Sequence, residues 1–203
     1  MKVYEGTVIS CDAGDHVHRY LVEDQGRILH VGNDLPAQYG DAPREVLQGK
    51  TLLPCFGDTH IHFASYALFN AGLDVRSARS LPEMCERIRT FTRTNSDKIV
   101  MGFGASTHSV GEKRLISREE LDRACPDRPV FIVKYDGHAC ILNSRTIAML
   151  PKKMKGLRGW HEESGEMNQE AFFAVTDFLT KKISLPRTLR NMLQAVGSLT
   201  DRG

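Results

Sequence analysis

Residues 51–63 read T-L-L-P-C-F-G-D-T-H-I-H-F. Leu52, Leu53 and Phe56 form an apolar run of β character, after which Asp58, His60 and His62 alternate with Thr59, Ile61 and Phe63. Alternate side chains of an extended strand share a face, so this period predicts three polar groups on one side. Residues two apart on a strand lie roughly 6.5 Å apart at Cα, close enough for two neutral imidazoles to converge on one ion. Asp58 on that face can accept a hydrogen bond from a ligand imidazole or join the coordination shell. The plainer alternative is an ordinary polar strand face. The β-type run that precedes the histidines, with its Pro54 and Gly57, favours a site.

Working outward, the 203 residues are 41% hydrophobic and 26% charged, which suits an ordinary globular chain with one sizeable core and excludes disorder. The formal net charge of +2 is too small to argue for nucleic acid, and Lys152, Lys153 and Lys155 read as a solvated helix end or loop. No nucleic-acid partner is expected. The N-terminal M-K-V-Y-E-G-T-V-I-S is too short an apolar stretch for a signal peptide, and no run approaches the ~20 apolar residues of a membrane span. No membrane partner is expected, and the cytoplasm is the default location. Five cysteines, odd in number and without C-x-x-C, fit reduced thiols better than disulfides. Cys55 lies near the candidate ligands, where packing is favoured over a third-ligand or redox role.

Residues 1–50 read as β structure: Lys2 to Ser10, Tyr20 to Val22 and Arg27 to Val31 form short runs separated by turn-formers, and Leu35 to Arg44 reads as a linker. A second His-x-His, His16-Val17-His18, lies beside Asp12, Gly14 and Asp15, flanks that predict an exposed hairpin edge instead of a metal site. From Ser80 the period becomes helical. Ser80 with Glu83 matches a capping box, and Leu81, Met84, Cys85, Ile88 and Phe91 share one apolar face. Lys98 to Gly104 reads as a buried strand whose lone G-x-G implies no nucleotide. Ser117 with Glu120 caps a further helix that ends before Pro126, and Pro129 to Val133 is a strand that delivers Lys134, Asp136 and His138 at period two. Asn143 or Ser144 caps a short helix stopped by Pro151, and two further apolar faces follow, one over Met167 to Leu179 and one comprising Leu189, Met192, Leu193, Val196 and Leu199.

The segment Gly49 to His62 resembles the signature that opens the catalytic barrel of the amidohydrolase superfamily, in which a strand ends in His-x-His and both histidines bind metal. Cys55 stands where that family usually has Gly, and Gly57 where it commonly has an apolar residue. Leu121 to Leu150, with P-D-R-P-V-F and D-G-H-A-C-I-L-N-S, is similar to the YtcJ-like / N-substituted formamide deformylase-like branch, where the D-G-H-A and N-S elements recur around the substrate cavity. The resemblance implies His60 and His62 as metal ligands, Asp58 supporting them, and His138 as a substrate-binding residue. Glu166, Gln169 and Glu170 match the branch too loosely to choose among.

The expected architecture is therefore α/β: the first part of a (β/α)₈ barrel over residues 51–203, preceded over 1–50 by strands of a small β-sandwich, with Thr51 to Gly57 as the first barrel strand. A whole barrel needs ~250 residues, so the chain reads as truncated, with a helix closing on Gly203 and the general base expected beyond it. The expected activity is metal-dependent hydrolysis of an amide- or formamide-type C–N bond in a small molecule, by metal-activated water, zinc being the expected ion. The fragment alone should be inactive and, through unfinished sheet edges, prone to self-association. The rival expectation is a non-catalytic metal-binding or interaction module.

Overall fold

In the computed structural model of the chain, residues 1–201 are described, and the chain divides into two compact units, Met1–Thr59 and the part from His60 onward. In the first unit β1 (Lys2–Ile9), β2 (Val17–Asp24), β3 (Arg27–Gly32) and β4 (Arg44–Leu52) form one sheet in the order β3-β2-β1-β4. Asp24 pairs with Arg27 across the two-residue turn Gln25-Gly26, where φ is 50° and 77°. Positive φ at both positions is the hairpin turn whose twist matches that of the strands. β4 lies parallel to β1, so residues 33–43 provide the crossover that a parallel pair requires. Val3, Val8, Val22 and Leu47 are the buried apolar residues of this sheet.

The expected strand over Thr51 to Gly57 is corrected here. Thr51 and Leu52 are the last residues of β4, paired with Thr7 and Val8 of β1, and residues 53–62 form no strand or helix. Pro54 has no N–H to give a ladder and restricts Leu53, so the pairing that would make the segment a strand stops there. The period-two argument for Asp58, His60 and His62 loses its strand. β4 runs from Arg44 to Leu52, and the chain divides into its two compact units after Thr59.

The second unit is α/β. It contains α1 (Phe63–Asn70), β5 (Leu73–Asp74), α2 (Leu81–Thr94), β6 (Val100–Ala105), α3 (Arg118–Ala124), β7 (Val130–Lys134), β8 (Ala139–Leu142), α4 (Ser144–Met149), β9 (Trp160–His161), β10 (Glu166–Asn168), α5 (Gln169–Thr180) and α6 (Leu185–Thr200). The strand order is β5-β6-β7-β8-β10-β9, with β5, β6 and β7 parallel and the rest antiparallel. Alternation along β7 sorts the core: Val130 and Ile132 pack with Leu81, Met84, Ile88 and Leu121, while Phe131 and Val133 pack with Cys140, Met167, Phe172 and Leu179. Both faces of this strand are buried, which is why it reads as a continuous apolar run.

The capping signals mark real helix starts. Ser117 and Glu120 form the complete reciprocal box, at 3.3 and 2.8 Å. Arg114 grips the same Glu120 carboxylate and holds its pKa down at about 2. Ser80 accepts from the Glu83 amide, but the Glu83 carboxylate takes the Arg79 amide instead, so that box is half formed. Asn143 caps α4 and is fully buried: its oxygen accepts from Thr146 N and Val130 N, and its amide donates to the Cys125 and Arg128 carbonyls.

Two expectations are revised. Asp136 and His138 do not continue the strand at period two; β7 ends at Lys134, and the chain reverses through Gly137, whose φ is +72°. Within α6 the apolar stripe faces outward, with Leu189, Leu193 and Val196 exposed, while Asn191 and Ala195 are buried. The helix closure expected at Gly203 lies outside the described residues.

Candidate active site

The parallel strands β5, β6 and β7 bring their carboxyl ends to one edge, the end at which open α/β sheets gather ligands. There a cleft of about 690 Å³ opens, lined by His60, His62 and Tyr66, by Arg76 and Phe103 from the ends of β5 and β6, by Tyr135 to His138 from the turn after β7, and by Phe172, Phe173 and Thr176 of α5. The structure thus places His60, His62 and His138 on one cleft, although His60 and His138 lie far apart in sequence and neither sits on a strand.

His62 is the N-cap residue of α1 and makes no side-chain cap bond. Its ring lies 5.2 Å from that of His60, centroid to centroid, at an interplanar angle of 79°. Two imidazoles on one zinc put their centroids at most about 6.4 Å apart, so the observed separation is within reach of a shared ion. Among the described residues no group of three or more His, Cys, Asp and Glu is arranged to hold a metal. The residues present therefore fit half of a four-coordinate site.

His138 is oriented by its own turn. Its ring Nδ1 lies 2.7 Å from the Asp136 carbonyl, and its backbone N–H donates to the Asp136 carboxylate at 3.1 Å. A carbonyl only accepts, so Nδ1 carries the proton, and in the neutral form of the ring Nε2 is the acceptor nitrogen. Burial pushes the Asp136 carboxyl up, but the His138 amide and the Lys134 ammonium, 3.1 Å away, outweigh it and hold the group below its usual range.

Phe69 and Phe103 stack at 5.4 Å, and the Arg76 guanidinium lies 5.8 Å from the Phe103 ring centre, so this wall is aromatic with a charged edge. Sequence reasoning missed Arg76, Phe103, Tyr135 and Phe172; an Asp-x-Arg after a short apolar run at Leu73 was the available signal for the first. The N-S element proves structural on the Asn143 side, since that residue is fully buried and bonded within the core. Asp58 is an exposed residue of the first compact unit. Cys55 is exposed, which removes the packing role expected of it.

The other His-x-His lies in the first unit. The His16 ring takes both carboxylate oxygens of Asp12 at 2.9 Å, and its centroid lies 6.1 Å from that of His18. Asp12 also accepts from the Gly14 and His16 amides, which is how a short acidic side chain closes a tight loop.

Three comparisons bear on identity. Protein LONG AFTER FAR-RED 3 of Arabidopsis thaliana is 29% identical over 148 residues, 71% of this chain and 25% of that protein. N-substituted formamide deformylase of Arthrobacter pascens is 28% identical over 156 residues, 74% of this chain and 29% of that protein, so the chain spans between a quarter and a third of these curated relatives. An uncharacterized metal-dependent hydrolase from Pyrococcus furiosus has a solved structure that superposes with a TM-score of 0.62 at 24% identity, covering 96% of this chain and 41% of that one, which establishes a shared fold. Residues 47–178, well over half of the sequence, match the Amidohydrolase family, and the chain belongs to that family.

Proposed function

We propose that this chain belongs to a metal-dependent hydrolase that opens the C–N bond of an amide or formamide, built on a (β/α)₈ barrel whose early strands are β5, β6 and β7. The observation that carries the reading is the convergence of His60, His62 and His138 on one cleft at the carboxyl ends of parallel strands. In barrel enzymes that end carries the chemistry. His60 and His62 would hold the ion, zinc by donor type, and Asp58 would support them. A divalent ion supplies, when bound, Lewis acidity toward a carbonyl and an activated water. His138, with Nδ1–H committed to Asp136, presents Nε2 to accept a hydrogen bond from the amide N–H of a substrate. The aromatic wall excludes water from the apolar part of that substrate. On this reading the substrate is a small molecule, the setting is the cytoplasm, and nucleic acid is not a partner; among the described residues no helix is long and apolar enough to cross a membrane.

One observation favours a second reading: among the described residues His60 and His62 pair at the cleft while no group of three or more His, Cys, Asp and Glu is arranged to hold a metal, as expected of a metal-binding or interaction module without catalysis. Zinc content by elemental analysis and hydrolysis of a series of N-substituted formamides, measured on the same preparations of the whole protein that carries this chain, separate the two. Zinc retained with hydrolysis supports the hydrolase, zinc retained without it supports a metal-binding module, and absence of both zinc and hydrolysis overturns the hydrolase and leaves an interaction module.

A further inference from the structure

Arg76 is held from several sides at the edge of the cleft. Its Nε donates to Asp74 Oδ1 at 3.0 Å, and its Nη2 donates to Asp74 Oδ2 at 2.8 Å and to Asn70 Oδ1 at 3.1 Å. The plane lies over Phe103. Its stem passes Gly104, which has a φ of +103° and where an added Cβ would lie 2.1 Å from Arg76 Cγ, so only glycine leaves room for this arginine. Four neighbours from three elements thus hold one guanidinium in place, although its side chain is 49% exposed. An exposed ion pair contributes little to stability, so stability does not explain the construction. Asp74, its carboxyl lowered chiefly by the Arg76 hydrogen bonds, is occupied on both oxygens. Among the described residues Nη1 makes no hydrogen bond, and a guanidinium fork with one open edge is suited to an oxygen anion.

We propose that Arg76 is a specificity-determining residue that reads a carboxylate on the substrate, so that the preferred substrates are amides carrying a carboxylate, the N-acyl amino acid class, over uncharged N-acyl amines. This rests on the proposed hydrolase reading, because it takes the same cleft as the substrate site. The geometry supplies the physical reason: the arginine's freedom is already surrendered to Asp74, Asn70, Phe103 and Gly104, so a bound carboxylate orders little that was mobile. Arg76 acts on binding and selection and has no part in bond cleavage.

The test uses two probes that differ only in the carboxylate, N-formylphenylalanine and N-formylphenethylamine, titrated calorimetrically into the zinc-supplemented chain. The acid should bind at least about tenfold more tightly, the scale of one charge-assisted hydrogen bond. Arg76→Gln should abolish the preference by bringing the affinity for the acid down to that for the amine. Arg76→Lys, which keeps the charge and loses the fork, should retain only part of it and serves should the glutamine variant fail to fold. Equal binding of the two probes, binding of neither, or a preference that survives both substitutions overturns the proposal. The zinc-free chain separates the two levels of argument: a preference that tracks Arg76 without zinc keeps Arg76 as the reader of the carboxylate even where zinc content and hydrolysis fail the metal hydrolase.

Discussion

The chain carries the same short pattern, His-x-His, in two places, and their surroundings give it different work. At residues 16–18 one imidazole, that of His16, is bound to Asp12 four residues away in the tight loop between β1 and β2, while His18 already lies in β2, paired with Val8. At residues 60–62 the rings stand 5.2 Å apart on the rim of a cleft whose other walls come from β5, β6, α5 and the turn after β7. Spacing alone puts two imidazoles near each other. What else faces them decides whether they close a loop or line a site, and that is settled by residues distant in sequence.

The sharpest break in this comparison is a metal measurement. His60→Ala or His62→Ala should lower zinc affinity by at least 10- to 100-fold, the range typical even for residues that merely support a ligand. Replacing His16 and His18 together should leave zinc content within about twofold, since surface substitutions away from special features change little. Elemental analysis of the dialysed proteins reads both; zinc lost from the His16/His18 variant and kept by the other two would reverse the assignment.

A second measurement asks whether the cleft depends on the folded α/β unit. Asn143→Ala takes the side-chain partner from the Val130 and Thr146 amides and from the Cys125 carbonyl, and leaves the Arg128 carbonyl with only the Cys125 thiol at 3.8 Å. A loss of about 2–4 kcal/mol is expected, read as a lower urea midpoint for zinc release. The His16–Asp12 contact is local, and its ring signals in NMR spectra should be unmoved by the same substitution.

The smallest effect concerns acid. The His16 imidazole holds the Asp12 carboxyl well below the usual carboxylate range. A carboxyl depressed in the folded state stabilises it above the ordinary carboxylate pKa, and that contribution disappears as the pH falls through the folded value. The loop around Asp12 should therefore keep its His16 contact at pH values where ordinary carboxylates are protonated. Asp12→Asn should remove this acid resistance while leaving zinc at His60 and His62 untouched, as followed by NMR titration of the His16 ring.

How much of this was legible in the sequence differs from element to element. Helix starts at Ser80, Ser117 and Asn143 were readable because a cap is made between residues three apart. β7 was readable because a strand buried on both faces needs an unbroken apolar run. The strand expected through Thr51 to Gly57 was not there, because a strand exists only where a partner supplies its ladder, and β1 pairs with the chain no further than Leu52. The outward stripe of α6 misled for a related reason: periodicity defines a face without saying what meets it.

For the site, the sequence by itself determined which donor groups are on offer: two imidazoles two apart, and an Asp-Gly-His after a buried strand. Their donor atoms and spacing are local properties, and so is the turn that commits His138 Nδ1 to Asp136. Only the tertiary structure decided that His138 shares a cleft with His60 and His62, that Phe103 and Phe172 form its walls, and that Arg76 is fixed at its edge. Those relations arise from the register of β5 against β6 and of β6 against β7, in which each strand end is positioned by hydrogen bonds to a neighbour some thirty residues away.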